Sequence, residues 1–286
     1  MVKPLWILAM TLAGAGLVGA DSVPDAKGTA SAALKAYAAM DYAQAGKLAR
    51  TIPHTPEGRL VSGLCDVYDR TRQDIRRGQL TLAELFYNDK TPLPYRLEAG
   101  VALGRTTQLM KERRDLYRDA ADRYDHVKIF EAVRKLAPGS SADRNAFFYL
   151  IRERLENPEQ ADAAFEELET FFRDFRGDRK LLPPLHLLAE YEYIRLRRDY
   201  KNAARHLMEG YEIGFANPNE NRGGLFRLAF LFHKKLNDKP MAVKYCKEYL
   251  KRYPYSGQAV VARRFLSRAS FWAKFRSPKP AGIFSL

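Results

Sequence analysis

A chain of 286 residues that is 46% hydrophobic and holds 16 Phe and 16 Tyr can bury a large core, which excludes a disordered chain. Its charge is one-sided, 48 Lys and Arg against 34 Asp and Glu, so acidic molecules are the expected partners. Two cysteines without a Cys-x-x-Cys pair exclude a thioredoxin-type redox site.

In chain order, the first twenty residues have the form of a secretory signal peptide. Lys3 is a short basic start, Leu5 to Val18 an apolar stretch, and Val18 to Ala20 a small-residue cleavage pattern before Asp21. That stretch has only 14 residues, against about 20 for a membrane span. The protein is therefore expected to be exported, periplasmic or secreted after cleavage near Ala20. Residues 21–29 read as a linker.

From residue 30 to residue 276 apolar residues recur at helical spacing. Leu60, Leu64, Tyr68, Thr71 and Ile75 form one stripe; Ala161, Phe165, Leu168, Phe172 and Phe175 form another. Ala242, Tyr245, Cys246, Tyr249, Leu250 and Tyr253 form a third. Prolines 53, 92, 138, 158, 183, 218, 240 and 254 fall between such stripes, where the chain must leave a helix. No stretch alternates with the period of a strand, and no Asn-Gly or Asp-Gly pair marks a hairpin. The pattern predicts an all-α protein of about twelve helices, closed by a flexible tail over 277–286.

A small or apolar residue recurs three positions after a helix start: Ala45, Ala83, Val127, Ala161, Ala203 and Ala242. Four residues further on stand Ala49, Tyr87, Phe165, Leu207 and Cys246, with the Val127 unit the exception because Glu131 falls there. The spacings of the small residues are 38, 44, 34, 42 and 39, close to two helices plus two turns. A small side chain there lets the partner helix of a hairpin approach closely.

The best unit, 222–256, resembles a tetratricopeptide repeat of the bacterial-envelope type, as in outer-membrane assembly lipoproteins and cell-division coordinators. Ala242, Tyr245, Tyr249, Tyr253, Pro254, Ser256 and Ala262 stand where that pattern expects them. Weaker copies lie at 144–176 and 185–215. The resemblance implies an α-solenoid of stacked antiparallel hairpins, wound as a right-handed superhelix, that binds protein partners. In such a stack neighbouring helices sit about 8–10 Å apart. Cys65 and Cys246 are several hairpins apart, so both are expected as free, buried thiols. The family's groove positions carry over to Arg195, Arg227 and Lys234, a basic strip suited to a carboxylate or acidic side chain.

Four catalytic or phosphate-binding motifs are missing: HExxH, GxSxG, SxxK and GxxxxGK[ST]. The five histidines, His54, His126, His186, His206 and His233, are scattered without a pair on one helix face, so no metal site is expected. Glu190 with Glu192, and the group Glu166, Glu167 and Glu169, are the carboxylates that would serve a glycan-cleaving enzyme. Glu190 and Glu192 are two apart and point in different directions on a helix. From Lys244 to Lys279 ten basic residues face one acid, Glu248, and a second basic set runs Arg195, Arg197, Arg198, Lys201 and Arg205.

The resulting expectation is a non-enzymatic exported scaffold without cofactor. Its partner would be an acidic protein or peptide, with contact to anionic envelope polymers. A helical enzyme or accessory module acting on cell-wall glycan is the alternative reading. Nucleic-acid binding in the cytoplasm is a third, and it requires the signal peptide to be absent.

Overall fold

The computed structural model describes residues 24–68, 72–113 and 123–276. Among these there are thirteen α-helices and no strand, so the protein is all-α. The contacts divide the chain into two compact units, one ending at Glu153 and the next starting at Arg154. The expected signal peptide (1–20) and tail (277–286) lie outside the described residues. No described helix is long and apolar enough to cross a membrane.

The first unit holds α1 (Pro24–Ala38), α2 (Tyr42–Thr51), α3 (Pro56–Tyr68), α4 (Arg72–Tyr87), α5 (Leu93–Glu112) and α6 (His126–Leu136), and most of α7 (Ser141–Glu156). From α1 to α6 each helix packs on the next. Helix α1 begins at Pro24, inside the stretch expected as a linker. A proline suits the first turn of a helix, and burial of Ala30, Ala33 and Tyr37 holds the rest. The core is built from Leu60, Leu64, Leu82, Phe86, Leu103 and Phe130.

The second unit holds the end of α7, then α8 (Ala161–Asp174), α9 (Leu182–Glu192), α10 (Tyr200–Ile213), α11 (Pro218–Phe230), α12 (Lys239–Arg252) and α13 (Gly257–Arg276). From α9 to α13 each helix again packs on the next. Helices α9 and α11 both run on into a π-helical turn, at Tyr193–Arg197 and Leu231–Lys235. One core cluster joins Leu207, Phe215, Leu225, Tyr245, Cys246 and Tyr249. Cys65 and Cys246 are buried and unbonded, and burial pushes each thiol up to about 11.

The recurring small residues sit where close approach demands them: Ala45, Ala83, Ala161, Ala203 and Ala242 are all buried. The unit at Val127 differs, because α6 turns His126, Ile129, Phe130 and Val133 inward and leaves Val127 half-buried. Tyr87 is also outside the core, at 59% exposed. It is the last residue of α4, and the neighbouring Phe86 takes the buried position.

A turn repeats with these alanines that spacing alone does not disclose. Met40, Arg198 and Asn237 each adopt positive φ, at 63°, 52° and 52°. Each is followed by an aspartate, Asp41, Asp199 or Asp238, four residues before Ala45, Ala203 or Ala242. Its carboxylate accepts from the third backbone N–H onward, at 3.0 Å in all three cases. Its carbonyl accepts from the alanine N–H, at 2.9, 3.1 and 3.0 Å. The left-handed residue reverses the chain, and the aspartate satisfies an N–H that a helix start leaves open. At the other end of α12, the Tyr249 hydroxyl lies 2.6 Å from Ser256 Oγ and 2.9 Å from Gln258 Oε1, which fastens the exit turn.

Helices α3 and α4 meet at Gly78, where a Cβ would stand 2.7 Å from the carbonyl oxygen of Gly63 and 2.8 Å from Val67 N. Neither backbone atom can swing aside. Gly78→Ala should therefore destabilise the chain by about 1–3 kcal/mol, read as a lower thermal midpoint, despite alanine's better helix propensity. An unchanged or higher midpoint would contradict this packing.

Glu98 on α5 carries no ion pair among the described residues, and burial pushes its carboxyl up to about 7. A raised carboxyl pKa gives stability below the unfolded value and loses it as pH rises through the folded one. Glu98→Gln should match the native chain near pH 4 and exceed it in thermal midpoint at pH 8. A difference that does not change with pH would show that Glu98 is solvated.

Candidate functional site

Within the second unit, α8, α9, α10 and the loop after α8 enclose an open cleft of about 610 Å³. Phe165, Leu168 and Phe171 bury one stripe of α8, which brings Glu169 and Phe172 to the cleft edge. Helix α10 buries Ala203, Ala204, His206, Leu207 and Gly210 and leaves Arg205, Glu209 and Glu212 on the cleft side. At Gly210 a Cβ would come within 2.8 Å of His186 Cβ and 3.0 Å of the Phe215 ring. The missing side chain lets α9 approach and sets His186 opposite His206.

The two imidazoles are buried, with their Nδ1 atoms 3.2 Å apart. Phe172 covers both: its ring centroid is 4.1 Å from that of His186 and 4.8 Å from that of His206. Tyr193 stacks on His206 at 5.3 Å. Burial, with His206 and Arg205 nearby, holds the pKa of His186 down to about 3, so this ring is neutral. In the sequence they count only among five scattered histidines. They meet because the pair is formed across two helices, where spacing along one helix gives no sign of it.

Glu169 anchors this cluster. Its Oε1 accepts from Arg205 Nη2 at 2.8 Å and from the Tyr193 hydroxyl at 3.0 Å, and lies 3.2 Å from His206 Nε2. The His206 hydrogen bond, followed by that from Arg205, holds the Glu169 carboxyl well below its usual range, at about 2. On the other side Glu209 Oε2 is 3.7 Å from His186 Nδ1 and 3.9 Å from His206 Nδ1, while its Oε1 is 3.7 Å from Arg205 Nη1. Of the cleft arginines, Arg173 pairs with its neighbour Asp174 at 2.9 Å. Arg176 and Arg179 are exposed, and no ion pair involves them among the described residues.

The residues named for a basic groove lie elsewhere on this unit. Arg195 Nε donates to Glu192 at 2.6 Å, and its Nη2 donates to the Leu155 carbonyl at 2.9 Å. Arg227 Nε donates to Glu190 at 2.9 Å. Both acids are buried, so these arginines first balance charges within the fold. Lys234 is exposed. Of the candidate carboxylates, Glu190 and Glu192 each face their own arginine, Glu167 pairs with Arg154, Glu166 is exposed, and Glu169 lines the cleft. The chain matches no protein-family model and no curated protein sequence.

Removing one member of a buried pair strands the other charge. Arg227→Ala should cost about 3–5 kcal/mol by leaving Glu190 unpaired, and Arg227→Met with Glu190→Gln should recover most of it. Urea unfolding of the three proteins measures this. Full stability of Arg227→Ala would return Arg227 to the set of free groove charges.

Proposed function

We propose that this protein is a non-catalytic, exported helical scaffold of the tetratricopeptide type that holds an acidic protein or peptide of the cell envelope. The repeated turn of left-handed residue, aspartate cap and buried alanine supports the repeat reading, since it recurs in the copies at 185–215 and 222–256. A stack of such hairpins offers extended binding surface. The observation that carries the binding reading is the cleft, where Arg176 and Arg179 are exposed and make no ion pair among the described residues. Guanidinium groups present paired donors that match carboxylate oxygens. Arg195 and Arg227 keep part of their surface exposed, at 36% and 44% of the side chain, and with Lys234 extend the positive field on this unit. Such a field speeds capture of an acidic partner.

Crosslinking in native envelopes, followed by purification of the chain and its partner, tests both parts. Arg176→Glu with Arg179→Glu should reduce partner capture at least about tenfold with the thermal midpoint unchanged. Capture at the native level would remove the cleft from the reading. The recovered chain should begin at Asp21, and an intact Met1 in the cytoplasmic fraction would overturn export.

A further inference from the structure

The facing imidazoles and Glu209 present three ligand atoms to one point. Their separations are 3.2 Å between the two Nδ1 atoms and 3.7 and 3.9 Å from these to Glu209 Oε2. All three atoms lie within 4.8 Å of one another. Two bonds of about 2.0–2.1 Å at a tetrahedral angle would hold ligand atoms about 3.3 Å apart. The histidine pair already meets that spacing. Glu209, half-exposed, needs to move in by only about half an ångström to complete it.

We propose that His186, His206 and Glu209 form a binding site for a divalent transition-metal ion of the zinc class, ligated by both Nδ1 atoms and by Glu209 Oε2. Two imidazoles and one carboxylate are the donor set such an ion takes, whereas calcium and magnesium prefer oxygen alone.

The hydrogen bonds around the cluster prepare it for that role. Glu169 accepts on the far side of the ring, 3.2 Å from His206 Nε2. Arg205 Nη2 lies 3.0 Å from the same nitrogen; the ligating form of His206 carries its proton on Nε2, given to Glu169, with the Nδ1 lone pair free for the ion. A ligating histidine commonly has its other nitrogen fixed by such a carboxylate. Arg205 is the nearest positive charge. It is drawn to Glu169 and to the Oε1 atom of Glu209, so Oε2 stays turned to the histidines. Without an ion, the 3.2 Å contact is a hydrogen bond in which one of the two Nδ1 atoms carries the proton. Ion binding transfers this proton to Nε2 of the same ring, so no net proton is released from the pair. His186 and Glu209 both line the cleft, from which water completes the fourth position.

Titration of the chelator-treated full chain with Zn²⁺ and with Co²⁺ tests the site. One ion per chain should bind, raising the thermal midpoint and giving the visible bands of tetrahedral Co²⁺. Glu209→Gln and His186→Gln should each abolish stoichiometric binding, while Glu212→Gln, on the same cleft, should retain it. Glu169→Gln should weaken affinity about 10–100-fold, as loss of a ligand's supporting carboxylate does. Because Glu209 is half-exposed, its variant stays informative even if the His186 variant does not fold. A folded native chain that binds neither ion would overturn the proposal and leave a hydrogen-bonded histidine pair. So would a Glu209→Gln chain that binds as the native one does.

Discussion

One carboxylate oxygen holds the cleft of the second unit together. Glu169 Oε1, on α8, meets a hydroxyl from the turn after α9 and two nitrogens from α10. Those donors come from two segments, the turn after α9 and α10, so one charge ties both to α8. The arrangement is stable only while that group is an anion, and the donors around it keep it one. Through it Arg205 is turned across the cleft, and Tyr193 is fixed against the His206 imidazole. A glutamine there would offer a neutral acceptor and weaken all three contacts together.

Close approach of helices is the second constraint, and it explains the small residues at the contacts. Gly210 admits His186, as Gly78 admits the backbone of α3 in the first unit. Buried Ala45, Ala203 and Ala242 do the same in the first turn of their helices, whereas Ala83, expected near a helix start, lies well inside α4, which begins at Arg72. Where a hairpin turns by a left-handed residue, the aspartate that follows both caps the new helix and sets its first inward residue four positions later. The turn therefore fixes which face of the second helix points to the first.

The fold was legible in the sequence because burial on a helix has a period that residues display directly. Stripes such as Ala161, Phe165 and Leu168 are buried as a helical period requires. The Val127 unit is less regular for a related reason: α6 has enough apolar residues to bury a face, but a different one from that expected. The repeating aspartates were visible as letters, yet their role depends on the positive φ before them, which three different residue types supply. The cleft was not legible. His186 and His206 are 20 residues apart on separate helices, so their meeting depends on helix packing and has no period. The partners of the groove arginines were hidden for a similar reason. Arg195 and Arg227 were read as part of a basic strip, and packing sets each beside a buried acid, Glu192 or Glu190.

The charges of the second unit consequently divide by burial, not by sequence position. Arginines beside a buried carboxylate spend their donors inside the fold, because an unpaired buried anion would cost several kcal/mol. Arg205 is the intermediate case, shared between partly exposed Glu169 and Glu209. Arg176 and Arg179, on the loop after α8, are exposed and make no ion pair among the described residues, so their donors are turned to solvent. His186, at the edge of that cleft, is neutral and adds nothing to the positive field. With an ion bound, Glu209 has two claims on it, one from Arg205 and one from the ion, and its two oxygens are already turned to meet them separately.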